Sequence, residues 1–186
     1  EAQPKFSLIT LSYQSGRHIK FCLHSLATQN GSFEVIHADN ASNDIDMAEL
    51  ALSFPSVHQV INPINLGFAV GMNRAVSLSK GTWIAFINPD VFVPSTWLKT
   101  IEAAIEAYPD VSIFTSLQVD PKNNDIMDGA GDAVTFFGYP YRMGYGQKRT
   151  DNLTIADVFA PCGAAFVIRR DLWEQLGGFD EDFLCY

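Results

Sequence analysis

The sequence predicts an α/β fold in which a mostly parallel sheet is flanked by helices. Between residues 6 and 109, short apolar runs alternate four times with segments of helical periodicity. Such alternation is typical of a parallel sheet covered by helices on both faces. One run, Trp83–Ile87, is apolar at every position, as expected for a strand that is buried on both sides.

Local signals place the individual elements of this alternating region. Ser15 is predicted to cap the first helix, Gly81 to end the third and Pro109 to end the fourth. The apolar residues of each helix recur every three or four positions, which leaves one face for a core. The predicted strands cover residues 6–12, 33–38, 57–61 and 83–87, and the predicted helices cover residues 15–26, 47–52, 68–76 and 94–108.

The chain changes character after Val119. Residues 120–149 combine Asp, Asn and Gly with many aromatic residues, which predicts a long loop or an irregular hairpin. Two interpretations of the aromatic residues stay open: the tyrosines stack on sugar rings, or Phe136 and Phe137 anchor a lid in the core. The tyrosines are Tyr139, Tyr141 and Tyr145.

The end of this segment is basic, and regular structure follows it. A strand over residues 158–168 is predicted, and then a short helix that Asp171 caps and that Gly177 and Gly178 end. Positive side chains in an acidic protein suit an anionic acceptor or a diphosphate. The basic residues of the segment are Arg142, Lys148 and Arg149.

Composition and charge limit the classes of function. The chain has 186 residues, of which 47% are hydrophobic and 18% charged, and this is typical of one folded domain. Its formal net charge of −9 disfavours nucleic acid or an anionic membrane surface as a partner. An acidic protein that handles an anionic substrate is expected to need a metal ion between the two.

Cysteine usage and hydropathy predict a cytoplasmic protein. Cys22, Cys162 and Cys185 form neither a paired framework nor a metal-binding spacing, which is typical of free thiols in a reducing compartment. The sequence contains no apolar run long enough to span a bilayer, and its start lacks the features of a signal peptide. We therefore expect the protein in the cytoplasm, either free or at the inner face of the membrane.

Polar residues follow each of the first four predicted strands. Carboxyl ends of parallel strands meet at one edge of a sheet, where open α/β folds bind their ligands. The alternative is ordinary turn chemistry, because Asn, Pro, Asp and Gly are common in turns. The four strand ends are Ser12-Tyr13, Asp39-Asn40, Asn65-Leu66-Gly67 and Asn88-Pro89-Asp90.

The last of these strand ends has the chemistry of a cation site. Mg²⁺ and Mn²⁺ prefer oxygen ligands and often combine one carboxylate with substrate phosphates. Asp90 supplies such a carboxylate, and Asn88 supplies an amide oxygen or a supporting hydrogen bond. The fingerprints of dinucleotide-binding folds, P-loops and serine hydrolases are absent from the sequence, and its histidines follow no ligand spacing.

In this order and spacing, the motifs resemble a known family. From Phe6 to its end, the chain resembles the inverting glycosyltransferases of family two, which have the GT-A fold, and especially their rhamnosyltransferase-like branch. The Asn88-Pro89-Asp90 segment stands where the family has Asp-x-Asp. The other matching segments are Leu11-Ser12-Tyr13, Asp39-Asn40-Ala41-Ser42, Asn65-Leu66-Gly67-Phe68 with Asn73, Arg169-Arg170, and Gly177-Gly178-Phe179-Asp180-Glu181.

The resemblance implies a role for each strand end. Asp39, with Ser12 and Tyr13 beside it, binds the nucleotide base. Asn65, Gly67 and Asn73 lie near the ribose and diphosphate, and Asp90 holds a divalent metal ion, Mg²⁺ or Mn²⁺. Asn88 replaces a carboxylate of the family, which implies weaker metal binding. Residues 1–119 form the nucleotide-binding half, and residues 120–186 form an incomplete acceptor-side half.

The resemblance also implies a reaction, namely transfer of a glycosyl group from a nucleotide sugar to a glycan or lipid-linked acceptor with inversion. The branch suggests dTDP-rhamnose as the donor, surface polysaccharide synthesis as the context, and peripheral membrane association through the acceptor. Asp180 and Glu181 match the family motif, but its catalytic base is expected beyond Tyr186, so the catalytic residue is unknown and the chain is expected to be truncated.

Two other functions stay open from the sequence. One is a non-catalytic module that binds a nucleotide sugar or a glycan. The other is a nucleotidyltransferase, which would need a glycine-rich, basic loop after the first strand. Residues 12–17 match such a loop poorly.

Overall fold

The computed structural model describes residues 3–150 and 155–183 and confirms the α/β prediction. A six-stranded sheet has the order β3-β2-β1-β4-β10-β5, and β1 to β4 run parallel. The strands are β1 Phe6–Ser12, β2 Phe33–Asn40, β3 Val57–Asn62, β4 Trp83–Ile87, β5 Ile113–Thr115, β6 Gln118–Asp120, β7 Asn123–Gly129, β8 Asp132–Val134, β9 Pro140–Arg142 and β10 Ala165–Arg169. The helices are α1 Gly16–Ala27, α2 Met47–Ser53, α3 Phe68–Ser77, α4 Trp97–Ala107 and α5 Arg170–Leu176.

Hydrophobic cores cover both faces of the sheet, as the apolar strand β4 predicts. Successive residues of β1 contribute to opposite cores. Leu8 joins the core beneath α1 and α4, and Ile9 joins the core beneath α3 and α5. Phe86 of β4 packs against Phe166 and Trp173 in the second core, with ring centroids 4.9 Å apart in each pair. None of the described helices is long and apolar enough to cross a bilayer.

The second half of the chain differs in detail from the prediction. Residues 118–142 form two short hairpins, β6–β7 and β8–β9, and β10 returns antiparallel to β4. The strand predicted over 158–168 is confined to Ala165–Arg169. Phe136 is 99% exposed and Phe137 is 82% exposed, so their predicted role as core anchors of a lid is wrong.

Two predicted helix caps also differ. Ser15 precedes α1, but its side chain makes no capping hydrogen bond, and the N–H of Gly16 instead donates to Asp44 Oδ2 at 2.9 Å. Asp171 lies in the first turn of α5, where it accepts from the N–H of Leu172, and Arg169 occupies the cap position. The start of α1 is thus held by Asp44, a side chain that local periodicity does not identify. Cys185 lies outside the described residues.

Substitution of Gly81 by alanine is expected to destabilise the fold by about 2–3 kcal/mol, because overpacking forces the backbone to shift. A Cβ atom at Gly81 would meet the backbone of Ser7 and lie 2.5 Å from the carbonyl carbon of Phe6. Urea unfolding measures the loss. Gly163→Ala is the control, since a Cβ atom there meets nothing within 4 Å; equal losses in both variants would contradict the prediction.

Candidate active site

The carboxyl ends of β1 and β2 bring Ser12 and Asp39 together, as predicted. The two residues are paired in the parallel register, and the Ser12 hydroxyl donates to Asp39 Oδ1 at 2.7 Å. Ser42 donates to the same oxygen from its hydroxyl at 2.6 Å and to Oδ2 from its N–H at 2.8 Å. The carboxylate thereby holds a turn in which Ala41 has a left-handed φ of 56°.

Asp39 is 1% exposed, so it can act as the predicted base-binding carboxylate only after a local rearrangement. A ligand contacts this carboxylate only if neighbouring groups of the rim move aside. Oδ1 already accepts from two hydroxyls, whereas Oδ2 accepts from one backbone N–H. Oδ2 is therefore the atom with capacity for a further donor.

Tyr13 is presented at the surface beside this turn. Its side chain is 51% exposed, and the backbone after it is fixed, because the N–H of Gln14 donates to the hydroxyl of Ser42 at 2.9 Å. Gln14 itself has a positive φ of 53°. The β1–α1 loop thus rests on the β2–α2 loop and leaves an aromatic ring at the rim, where a flat ligand can stack.

His37 lies beneath the rim and is a residue that the sequence prediction missed. It is fully buried on β2, with Nε2 at 2.7 Å from the Ser12 hydroxyl and Nδ1 at 2.6 Å from the Gln59 amide oxygen. Burial lowers the pKa of His37 below its ordinary value of 6.5, against the opposing effect of the Asp39 charge. The imidazole is therefore neutral at pH 7. The only sequence signal was its alternation with Asp39 on one strand.

Stability is expected to fall in mild acid because of His37. The unfolded chain takes up a proton there below about pH 6.5, whereas the folded chain does not, so lowering the pH favours unfolding. The loss from this group between pH 7.5 and pH 5.5 is at most about 1.4 kcal/mol. Urea unfolding at both pH values measures it, and His37→Gln, which does not titrate, should lose this part of the dependence. An unchanged pH dependence in that variant would contradict the prediction.

Asn65 and Gly67 shape the loop that starts α3. Asn65 Oδ1 accepts from the N–H of Gly67 at 2.9 Å and from Asn40 Nδ2 at 3.1 Å. Asn40 also donates to the carbonyl oxygen of Gly67 at 3.0 Å and accepts from Asn62. Gly67 has a φ of 77°, a conformation that favours glycine. This amide network holds the amino end of α3 at the rim, and a helix start favours anions.

Asn73 is not with the other predicted site residues. Its side chain pairs with the segment after α5: Nδ2 donates to the carbonyl oxygen of Phe179 and to Glu181 Oε1, and Oδ1 accepts from the N–H of Phe179, each at 2.9 Å. The carboxamide is thus engaged in fixing residues 178–181. Its ribose or diphosphate contact stays a prediction from the resemblance.

Asn88 and Asp90 follow β4 in a tight turn closed by a hydrogen bond from the N–H of Val91 to the carbonyl oxygen of Asn88 at 3.0 Å. The Cys22 thiol donates to the same carbonyl at 3.6 Å, and burial raises the pKa of Cys22 to about 12, so it stays neutral. Asn88 is half-buried and Asp90 is exposed. The backbone of this segment therefore forms a turn, while the Asp90 side chain stays accessible to a ligand.

The donors at this turn fit a hard cation whose remaining ligands come from elsewhere. Asp90 offers an exposed carboxylate and Asn88 an amide oxygen, both of the type that Mg²⁺ or Mn²⁺ prefers. Within residues 3–150 and 155–183, no three His, Cys, Asp or Glu side chains cluster as a metal cage. Phosphate oxygens and water would have to complete the coordination.

A pocket of about 680 Å³ adjoins Asn88 and contains charged residues that the sequence prediction did not place together. Asp132 and Arg142 face each other across the β8–β9 register, and Arg142 Nη1 donates to Asp128 Oδ2 at 3.1 Å. Phenylalanine rings and carboxylates form a lining suited to the apolar faces and hydroxyls of a sugar. The aromatic and charged lining residues are Phe68, Asp132, Arg142, Phe166, Phe179 and Asp180.

A larger groove, of about 1180 Å³, lies at the amino ends of β1 and β2, away from the rim. Two of its charged groups, Arg170 and Glu34, are engaged in structural contacts. Arg170 donates to the carbonyl oxygen of Gly81 at 2.5 Å and to the hydroxyl of Ser79 at 2.6 Å, and Glu34 accepts from Ser7 at 2.7 Å. The candidate active site is therefore the rim together with the smaller pocket.

Comparison with known proteins identifies the family of the chain. Residues 7–177 match the family described as Glycosyl transferase family 2. The chain belongs to glycosyl transferase family 2. The family recognised from the sequence motifs is thereby confirmed.

Two relatives show how much of a family 2 protein the chain spans. It is 34% identical to an uncharacterized glycosyltransferase of Haemophilus influenzae over 57% of this chain and 36% of that protein. It is 26% identical to the N-acetylglucosaminyl-diphospho-decaprenol L-rhamnosyltransferase of Mycobacterium tuberculosis over 96% of this chain and 66% of that protein. The chain therefore spans between about one third and two thirds of these relatives.

Solved structures confirm the GT-A fold. Staphylococcus aureus TarS 1–349 in complex with UDP aligns with 97% of this chain and 51% of its own, with a TM-score of 0.67 and 16% identity. The mannosyltransferase PcManGT of Pyrobaculum calidifontis, in complex with GDP-Man and Mn²⁺, aligns with 97% of this chain and 49% of its own, with a TM-score of 0.66 and 19% identity.

Proposed function

We propose that this family 2 chain binds a nucleotide sugar and takes part in transfer of its glycosyl group, with inversion, to a hydroxyl of a glycan or lipid-linked acceptor. The observation that carries the proposal is the position of Asn88. This residue belongs both to the Asn88-Pro89-Asp90 turn at the rim and to the lining of the sugar-sized pocket. A donor lying across this turn has its nucleotide on the rim and its sugar in the pocket.

The proposed contacts follow the order of the rim. Tyr13 stacks on the base, and Oδ2 of Asp39, oriented by Ser12, accepts from it. Asn65 and Gly67 hold the start of α3 near the diphosphate, where its backbone amides favour an anion.

Asp90, with Asn88, is proposed to hold Mg²⁺ or Mn²⁺ against the diphosphate. When bound, such an ion neutralises negative charge on the leaving nucleoside diphosphate. PcManGT, a protein of similar fold, has been solved in complex with Mn²⁺. In the sugar pocket, Asp132, Arg142 and Asp180 are proposed to bind hydroxyls of the donor sugar.

The proposed reaction is one displacement at the anomeric carbon. The acceptor oxygen forms the new glycosidic bond as the bond to the diphosphate oxygen breaks, and the acceptor proton passes to a carboxylate base. We assign that base to none of the described residues. The donor dTDP-rhamnose and, as acceptor, a sugar carried on a polyprenyl diphosphate are proposed from the similarity to the mycobacterial rhamnosyltransferase, whose name contains rhamnose transfer and an N-acetylglucosaminyl-diphospho-decaprenol.

A panel of nucleotide sugars, read by calorimetry and by release of nucleoside diphosphate in the presence of Mn²⁺, tests the proposal on the full-length gene product. Binding together with release supports transfer. Binding without release favours the non-catalytic binding module, and release of inorganic diphosphate from a nucleoside triphosphate and a sugar phosphate favours the nucleotidyltransferase. Failure of every nucleotide sugar to bind would overturn the assignment of the rim.

The β8–β9 hairpin is proposed to meet a lipid-linked acceptor at the membrane surface, on the inner face of a cytoplasmic membrane. The rings of Phe136 and Phe137 pack edge-to-face at the exposed tip, with centroids 5.6 Å apart. Replacing both by serine is expected to reduce sedimentation with zwitterionic lipid vesicles about tenfold, because buried apolar area drives such binding. Leu52→Ser, at an 83% exposed leucine of α2, is the control. Equal binding by all three proteins would contradict the proposed contact.

A further inference from the structure

A chain of four hydrogen-bonded side chains runs beneath the nucleotide rim. It connects Gln59 on β3, His37 on β2, Ser12 on β1 and Asp39 at the end of β2. Ser12 and His37 are 0% exposed and Asp39 is 1% exposed. Buried polar groups of this kind are retained at a cost in desolvation, which hydrogen bonds must offset.

The hydroxyl proton of Ser12 has one consistent position. Ser12 Oγ lies 2.7 Å from Asp39 Oδ1 and also 2.7 Å from His37 Nε2, but it carries a single proton. A carboxylate only accepts hydrogen bonds, so this proton points to Asp39. The contact with His37 is then donated by Nε2–H to the lone pair of the serine oxygen.

The surroundings of Gln59 support the same tautomer. With the proton on Nε2, Nδ1 of a neutral His37 is an acceptor and needs a donor. The Gln59 amide oxygen is placed 2.6 Å from Nδ1, while its buried Nε2 has no partner among the described residues. Because the oxygen and nitrogen of an amide are assigned from hydrogen bonding, a turn of 180° satisfies both groups.

We propose that His37 is a positioning residue for nucleotide binding, whose Nε2–H tautomer keeps the Ser12 hydroxyl proton on Asp39 Oδ1. Fixed by Ser12 in this way, Asp39 keeps Oδ2 for an N–H of the base once neighbouring groups of the rim move aside, since that oxygen accepts only from the backbone of Ser42. The ligand class is a nucleotide whose base offers an N–H, such as uracil or thymine. The inference rests on the proposed function.

The tautomer is measured directly on the ligand-free protein. Two-dimensional ¹H–¹⁵N correlation of the histidine rings at pH 7.5 is expected to show His37 neutral, with a proton on Nε2 and none on Nδ1. A doubly protonated ring, or a proton on Nδ1 alone, would overturn the proposal. This measurement involves no nucleotide, so its outcome is independent of the proposed enzyme function.

A matched pair of variants tests the positioning role. The amide nitrogen of His37→Gln reaches the place of Nε2, whereas that of His37→Asn reaches only the place of Nδ1. Binding of dTDP with Mn²⁺, read by calorimetry, is expected to stay within about twofold in His37→Gln and to weaken about tenfold in His37→Asn, the effect of one lost hydrogen bond. Equal affinities in the two variants would overturn the proposal.

A third variant leaves the core histidine in place. In Gln59→Glu, the carboxylate opposite Nδ1 favours the tautomer with the proton on Nδ1 and none on Nε2, which the ring spectra report, and dTDP affinity is then expected to fall about tenfold. Unchanged affinity with a moved proton would overturn the positioning role. If the wild-type chain binds neither dTDP nor UDP, the proposed function fails, while a wrong tautomer in a chain that binds them overturns the inference alone.

Discussion

Replacement of Asp90 by asparagine is expected to abolish metal-dependent binding of a nucleoside diphosphate and to lower kcat/KM for glycosyl transfer at least about hundredfold. Asp90 is the carboxylate of the β4 turn, and position 88 offers only an amide. Without this carboxylate the metal ion is not held, and the negative charge of the diphosphate beside the acidic protein is no longer compensated. Calorimetry with dTDP, with and without Mn²⁺, measures the binding, and nucleoside diphosphate release measures the rate.

Two further substitutions sharpen this test. Asp110→Asn removes an exposed carboxylate outside the turn and should leave both measurements unchanged. Asn88→Asp restores the second acid of the family motif and should tighten Mn²⁺ binding. Mn²⁺-dependent dTDP binding that persists in Asp90→Asn would show that the metal ion is held elsewhere.

The first half of the fold could be predicted because its signals are local. A fully buried strand such as Trp83–Ile87 and the helical spacing of α1 are visible in short windows of sequence. The second half depends on contacts distant along the chain. The direction of β10 follows from its pairing with β4, and the hairpins depend on glycines such as Gly131, whose φ is 95°.

The site was predictable to the same extent. Strand ends meet at one edge in any parallel sheet, so Ser12 and Asp39 could be placed together. His37 could not be found in this way, because its role depends on register with β1 and β3. Asp132 and Arg142 reach the pocket through an antiparallel hairpin that the sequence only outlined.

Asn73→Asp is expected to destabilise the chain by about 2–3 kcal/mol and to lower kcat/KM by disordering the wall of the sugar pocket. The substitution removes both donated hydrogen bonds of Asn73 and places a negative charge against the Phe179 carbonyl and Glu181. Phe179 and Asp180 line the pocket, and the Phe179 ring packs on Trp173 with centroids 4.9 Å apart. Urea unfolding and nucleoside diphosphate release measure the two effects.

Charge repulsion and lost positioning can be separated in this variant. Adding Glu181→Gln to Asn73→Asp removes the repulsion and should recover part of the stability, whereas Ser77→Ala on the same helix should have little effect. Gly178→Ala should act like Asn73→Asp, because Gly178 has a φ of 85° and a Cβ atom there would lie 2.8 Å from Asn73 Oδ1. Unchanged stability and kcat/KM in Asn73→Asp would mean that residues 178–181 are held by the packing of Phe179 alone.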